Sequence, residues 1–354
     1  MNTEFTEKLN KVNSIEGFYA GTGIFITGAS GFVGKGLLEK LIRVCPHIVV
    51  IFILLRPKKH QTVEQRYKEI IDDSIFDDIK AKNPSALKKI HPVEGDISLP
   101  KLGLSQEDRN MLIENVNILF HVAATLNFKE PLNAAVNTNV KGTFSIIELC
   151  NELKHVISVI HVSTAYSNAN LSEIEEKVYS YGELKDTLVK YAIETPMDSL
   201  MWYPACVMVS NRYVFSILTL FLHTLPAFIM DIFLRLQGSK PRMMKISKYY
   251  DTMSTVTNYF SVRQWSFKKD NVMDMMKEVK TLEDSDIVKL DLQDMDWDKY
   301  IAICVMGIKK FILKEDFKSL DAARRRLSIF YWLHQTTKAF AIIILLMIIL
   351  RVMY

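Results

Sequence analysis

Apolar positions along this chain fall into two regimes. Up to about residue 200 they come as short runs, TGIFIT at 22–27, IVVIFILL at 48–55, NILFHV at 117–122 and HVISVIHVS from His155 to Ser163. These runs are too short for helices, rich in β-branched and aromatic residues, and apolar at consecutive positions, so they predict strands covered on both faces. Between them the period becomes helical, in GASGFVGKGLLEKLIRV directly after the first run, over the polar stretch 62–81, and around 132–150. Strands alternating with helices predict an α/β architecture, a Rossmann-type doubly wound parallel sheet.

After about residue 200 the pattern changes. Residues 213–236, YVFSILTLFLHTLPAFIMDIFLRL, are almost wholly apolar, broken only by His223, Pro226 and Asp231. A kinked, membrane-embedded hairpin and a helix packed into a domain core fit this stretch equally. Residues 240–320 return to a mixed helical pattern. The uncharged run AFAIIILLMIIL at 339–350 then follows Tyr331, Trp332, Lys338 and the cluster Arg324 to Arg326. It falls a little short of the roughly 20 residues that span a bilayer. With Arg351 placed to snorkel and the basic cluster facing the cytosol, it predicts a transmembrane or tail-anchor helix over 336–354, a buried core helix being the alternative. The expected domains are 1–200, dinucleotide-binding and truncated; 201–335, helical; and 336–354, the anchor.

Composition sharpens this in three places. Hydrophobic residues make up 49% against 24% charged, so the apolar residues are unevenly spread, as the two regimes show. A net charge of +4 is too small to predict a nucleic-acid partner. Cys45, Cys150, Cys206 and Cys304 are isolated and lack ligand spacing, so reduced thiols are expected. The N-terminal stretch is charged throughout with no apolar segment of a secretory signal, which predicts a cytosol-facing protein.

Candidate chemistry begins at Gly28-x-x-Gly31-x-x-Gly34. The first glycine permits a sharp turn out of the strand, the second a close backbone approach to a pyrophosphate, and the third close packing of the helix, whose N–H groups face the phosphates. Thr27, Ser30, Phe32 and Val33 line the same turn. At the end of the second strand stands Arg56, followed by Pro57, Lys58 and Lys59, where an acidic residue would hold a ribose 2′-hydroxyl. A cation there suits a 2′-phosphate and favours NADPH. Asp96 closes the third strand beside the expected adenine. Ala123 follows the fourth strand, and Ser163 and Thr164 close the fifth with hydroxyls at the carboxyl edge of the sheet, where ligands bind.

These stretches resemble the alcohol-forming fatty acyl-CoA reductases, a family of extended short-chain dehydrogenase/reductases. FYAGTGIFITGASGFVGKGLLEKLIR, FILLRPK, VEGDI, LFHVAAT, NVKGT and HVSTAYSN carry the likeness in the first half. RQWSF, MDWDKYI, GIKKFILKED and ARRRLSIFYWLH carry it in the second. The resemblance implies NADPH-dependent reduction of a long-chain fatty acyl-CoA through an aldehyde-level intermediate to a primary alcohol, at a membrane of the endoplasmic reticulum or peroxisome facing the cytosol. Membrane lipid is then a partner, and self-association is compatible with it. It also implies that Ser163 or Thr164 hydrogen-bonds the carbonyl, and that a Tyr with a Lys one turn along supplies the proton.

One Tyr-x-x-x-Lys is present, Tyr181 with Lys185, about the number expected by chance in a chain with 14 tyrosines. Its surroundings, EEKVYSYGELKDTLVKYAIE, resemble a surface segment that precedes the family's catalytic helix. A block of over a hundred residues, on the order of one domain, is expected to be missing between about Pro196 and Trp202. It would remove the Tyr/Lys helix, the last strands and most of the acyl pocket. Weak or absent turnover is therefore expected, with a catalytically silent NADP-binding paralogue or a mis-spliced fragment as alternatives.

Overall fold

The structure, a computed structural model, describes residues 13–58, 60–127, 130–164, 189–198, 203–204, 216, 219–261, 270–288, 295–315 and 319–353. The chain forms two compact units, Met1–Leu171 with Lys269–Leu290, and Ser172–Lys268 with Asp291–Tyr354.

In the first unit, α1 (Ile15–Tyr19) leads into β1 (Gly23–Thr27), α2 (Phe32–Val44) and β2 (Val50–Leu55). Then come α3 (Val63–Ile71), α4 (Asp77–Lys82), β3 (Ile90–Glu94), α5 (Gln106–Asn115) and β4 (Ile118–His121). The following helix is α6 (Leu132–Val136) and α7 (Gly142–Glu152), joined through a π-helical turn at Asn137–Lys141, and β5 (Ser158–His161) closes the series. The strands are parallel in the order β3-β2-β1-β4-β5. Each predicted run thus forms a strand of the expected sheet, trimmed at its ends.

The central strands are buried along nearly their whole length, and apolar but for Thr27 and His121 at their carboxyl ends, because both faces are covered. Ile24, Ile26, Ile51 and Ile53 face one core with Leu38 of α2 and Ile70 of α3. Phe25, Phe52 and Leu119 face the other with Leu112 of α5 and Leu149 of α7. Each such side chain contributes roughly 1.5–3 kcal/mol by leaving water. The polar stretch expected as one helix over 62–81 breaks after Ile71. α3 starts at a reciprocal cap, Thr62 accepting from the Gln65 N–H while the Gln65 side chain accepts from the Thr62 N–H.

In the second unit, a π-helical turn at Leu220–Thr224 runs into α8 (Leu225–Leu236), with Pro226 in the first turn. Gly238, at φ +73°, then reverses the chain into α9 (Met243–Ser261). The described part of that run, 219–236, is one continuous helical stretch, and the hairpin there is α8 with α9. Asp231 explains why: buried, it accepts the N–H groups of Arg242, Met243 and Met244 at 2.8, 2.8 and 3.0 Å. A residue that reads as an interruption of an apolar run is the cap of the next helix.

α10 (Asp270–Lys280) belongs to the first unit, not to the helical domain expected from 201 onward. Just beyond it Asp284 accepts the N–H groups of Ile15 and Glu16 at 2.7 and 2.9 Å, capping α1.

α11 (Trp297–Gly307) continues into a π-helical turn, Ile308–Ile312. It carries Lys309, which is fully buried and donates to Pro196 C=O at 3.1 Å, Asp198 Oδ1 at 3.1 Å and Glu315 Oε2 at 3.2 Å.

The last helix, α12 (Leu320–Met353), contains the stretch expected as an anchor from 336 onward and is continuous from Leu320. Among the described residues no helix is long and apolar enough to cross a membrane. The 12-residue run advances only about 18 Å as helix, against a hydrocarbon core of roughly 30 Å. Arg326, counted in the basic cluster, donates to the Asp198 carbonyl.

Candidate functional site

At the carboxyl edge of the sheet, β1 ends in Thr27 and the chain turns at Gly28, φ +78°. A Cβ there would lie 2.7 Å from Ala123 N and 2.8 Å from Val122 C. Gly28 thus serves the turn and also lets the extension of β4 run against it. A Cβ on Gly34 would lie 2.2 Å from Gly28 O, so α2 can start against the turn only if that position has no side chain. Gly31 N–H donates to Gly28 O at 2.9 Å and closes the loop.

α2 begins after Gly31 with no side-chain cap and no acidic residue in its first turn, and Phe32 and Val33 are exposed. Its leading N–H groups and the positive end of its dipole are left for an anion. A Gly-lined cradle before an uncapped helix fits a dinucleotide pyrophosphate.

Arg56, just past β2, is exposed and lies 3.5 Å from Asp96 Oδ2. The structure brings together the two residues expected at the 2′-phosphate and the adenine. Burial pushes the Asp96 carboxyl up, but the Ser98 N–H and O–H, donating at 2.9 and 2.8 Å, together with Arg56 hold it below the usual range. Sequence reasoning missed Arg66 on α3. Buried, it donates to the Arg56 carbonyl and to Ser30 Oγ at 3.2 Å, tying the glycine turn to the end of β2. Burial and the neighbouring Arg56 lower its pKa. Two guanidinium groups so close make this corner electropositive, as a phosphate requires. In the sequence Arg66 is one polar residue in a polar helix, with nothing to mark it.

His121 organises the other side. Thr143 donates its hydroxyl to Asn139 C=O at 2.8 Å, so its oxygen must accept from His121 Nε2, 3.1 Å away. Thr27 Oγ1 accepts from the Ala123 N–H at 3.3 Å and stands 2.7 Å from His121 Nδ1. With Nε2 carrying the proton, Nδ1 accepts the Thr27 hydroxyl and the chain of donors runs in one sense from β4 to α7. The imidazole also stacks on His161 of β5, centroids 5.0 Å apart. Next to it, Asn139 in the π-helical turn exchanges two hydrogen bonds with Thr125, at 2.8 and 3.1 Å. A histidine inside an otherwise apolar strand was the available signal.

Burial, reinforced by His161, lowers the His121 pKa to about 4. Its unfolded value is near 6.5. Between those limits the unfolded chain binds a proton that the native imidazole refuses, so stability contributed by neutral His121 is complete above about 6.5 and is lost as pH falls towards 4. Urea midpoints should therefore climb with pH through that window. In His121→Asn, which keeps an acceptor for Thr27, the climb should be smaller.

Ser163 and Thr164 follow β5 and are exposed. Tyr181 and Lys185 lie outside the described residues, as does Cys206. Cys45 is buried, and burial pushes its thiol up to about 11, ahead of repulsion from Glu16 and Asp284.

Two family profiles described as Male sterility protein match the chain, an NAD-binding one over residues 26–218 and a second over 222–315. Fatty acyl-CoA reductase wat of Drosophila melanogaster is 26% identical over 469 positions, covering 91% of this chain and 90% of that protein. Fatty acyl-CoA reductase 1 of Mus musculus is 26% identical over 460 positions, covering 89% of each. Both alignments exceed the 354 residues of this chain, so each relative carries residues without counterpart here. Among solved structures, the terminal R domain from the myxalamid PKS-NRPS biosynthetic pathway is 31% identical over 45% of this chain and 38% of that one, with a TM-score of 0.36.

Proposed function

The chain belongs to the male sterility protein family and is an oxidoreductase by that membership, and we propose that it reduces a long-chain fatty acyl-CoA with NADPH to a primary alcohol, facing the cytosol. The observation that carries this reading is the side-chain-free cradle of Gly28 and Gly34 against an uncapped helix start, with Arg56 at its rim. The N–H groups opening α2 hold the pyrophosphate, and Arg56 exchanges Asp96 for the 2′-phosphate. When bound, NADPH would supply one hydride to the thioester carbonyl carbon, with CoA leaving as its thiol, and a second NADPH one hydride to the aldehyde. Ser163 or Thr164 hydrogen-bonds the carbonyl oxygen where negative charge develops.

One observation favours a second reading. The relatives' alignments are longer than the whole chain, and among the described residues the sheet has five strands, ending at β5. A nicotinamide site bounded by so short a sheet is open to water on one side, which disfavours hydride transfer. On this second reading NADPH binds while hexadecanol forms weakly or not at all from palmitoyl-CoA.

Fluorescence titration with NADPH, followed by mass-spectrometric detection of hexadecanol, separates the readings. Binding with sustained product supports a working reductase, binding without product a silent paralogue, and no binding overturns both. In the same titration Arg56→Glu should weaken NADPH about tenfold or more, the scale of one charge-assisted contact, and leave NADH nearly unchanged. Equal loss for both dinucleotides would remove Arg56 from the 2′-phosphate.

A further inference from the structure

We propose that the α8–α9 hairpin is a membrane-surface element that lays α8 among lipid acyl chains and sets its basic turn against anionic headgroups, a role independent of the reductase reading. On α8, Leu225, Phe228, Ile229, Ile232, Phe233 and Leu236 recur at three- and four-residue spacing and share one side of the helix. They are between 43% and 79% exposed. Asp231 points elsewhere, into the hairpin, where the N–H groups that open α9 hold it. The exposed stripe is thus not the side by which α8 packs. An apolar stripe of this width left in water marks a surface that meets something.

The charges next to it select the occupant. From Arg235 to Lys248 the chain carries Arg235, Lys240, Arg242, Lys245 and Lys248 and no acidic residue, and all five are exposed. They lie at the end of α8, in the turn and in the first turns of α9. A second copy of this chain packed stripe to stripe would set these cations against their own counterparts. An anionic bilayer complements them, and long basic side chains can reach headgroups while their stems stay on apolar surface. At about 18 Å, α8 suits lying in the interface, sunk by roughly 5–10 Å. It need not span, in keeping with the absence of a spanning helix among the described residues.

Sedimentation of the full chain with vesicles of phosphatidylserine or of phosphatidylcholine tests this. The chain should bind phosphatidylserine about tenfold or more tightly than phosphatidylcholine, with the difference shrinking as salt is raised. The triple variant Lys240→Glu, Lys245→Glu, Lys248→Glu should lose that preference. Phe228→Ser with Phe233→Ser should lower binding to both vesicles. All these side chains are exposed, so unchanged circular dichroism and an unchanged calorimetric transition of the second unit mark the variants as folded. Both variants binding as the parent does would overturn the proposal and hand the membrane contact to another element. So would a parent that ignores both vesicles yet self-associates in a way the serine pair abolishes, since the stripe would then belong to a second copy.

Discussion

Gly34→Ala is expected to reduce NADPH binding by a hundredfold or so and to lower stability by about 1–3 kcal/mol, the usual range for overpacking. The added Cβ would sit 2.2 Å from Gly28 O and 2.7 Å from Gly28 C. Both are backbone atoms of the turn that meets the pyrophosphate, so no flexible side chain can yield. Either α2 slides away from β1, carrying its leading N–H groups off the phosphates, or the turn opens. Gly36, two residues on in the same helix, is the internal control: a Cβ there meets nothing within 4 Å. Gly36→Ala should leave binding intact and stabilise the helix by roughly 0.5–1 kcal/mol. Titration and thermal melts of the pair decide the matter. Equal behaviour of the two variants would mean that the glycine turn does not meet the cofactor.

Lys309→Met should be the most destabilising single change in the second unit, costing about 3–5 kcal/mol. Lys309 is fully buried, and its ammonium bridges the Pro196 carbonyl and the carboxylates of Asp198 and Glu315. Methionine keeps most of the volume and removes the charge, leaving two carboxylates facing each other with their cation gone. Glu315 Oε2 also accepts the Asp198 N–H at 2.6 Å, and Ser319 and Arg326 donate to Asp198. The cluster therefore holds the residues just before the place where the sequence predicts a lost block. Calorimetry should show the transition of this unit falling by on the order of 10 °C while NADPH binding in the first unit persists. Restoring much of the loss by pairing Lys309→Met with Glu315→Gln would identify the stranded charge, not the packing, as its cause.

What could be read from the chain was what the backbone period and the glycines dictate. Strands covered on both faces announce themselves as unbroken apolar runs, and Gly28, Gly31 and Gly34 are legible as a spaced motif in which the first and third positions have no room for a Cβ. Contacts between residues far apart in sequence were not legible. Arg66 reaches the glycine turn from a polar helix, and Asp284 caps a helix 268 residues earlier in the chain. Neither position has a local pattern that distinguishes it from any solvated charge. Asp231 misled outright, because a carboxylate in an apolar run looks like a flaw until the three N–H groups it accepts are seen. The run at 339–350 shows another limit: counting apolar residues reports how greasy a segment is, not where its helix begins, which here is Leu320.

The capping of α1 by Asp284 bears on how the protein is made. On the ribosome, every strand of the sheet has been synthesised well before this carboxylate is, and at roughly 5–20 residues per second the wait is on the order of ten seconds. Throughout that interval the nascent amino-terminal unit has the α1 amides of Ile15 and Glu16 uncapped by it, so its last stitch is tied only after much of the second unit has been translated.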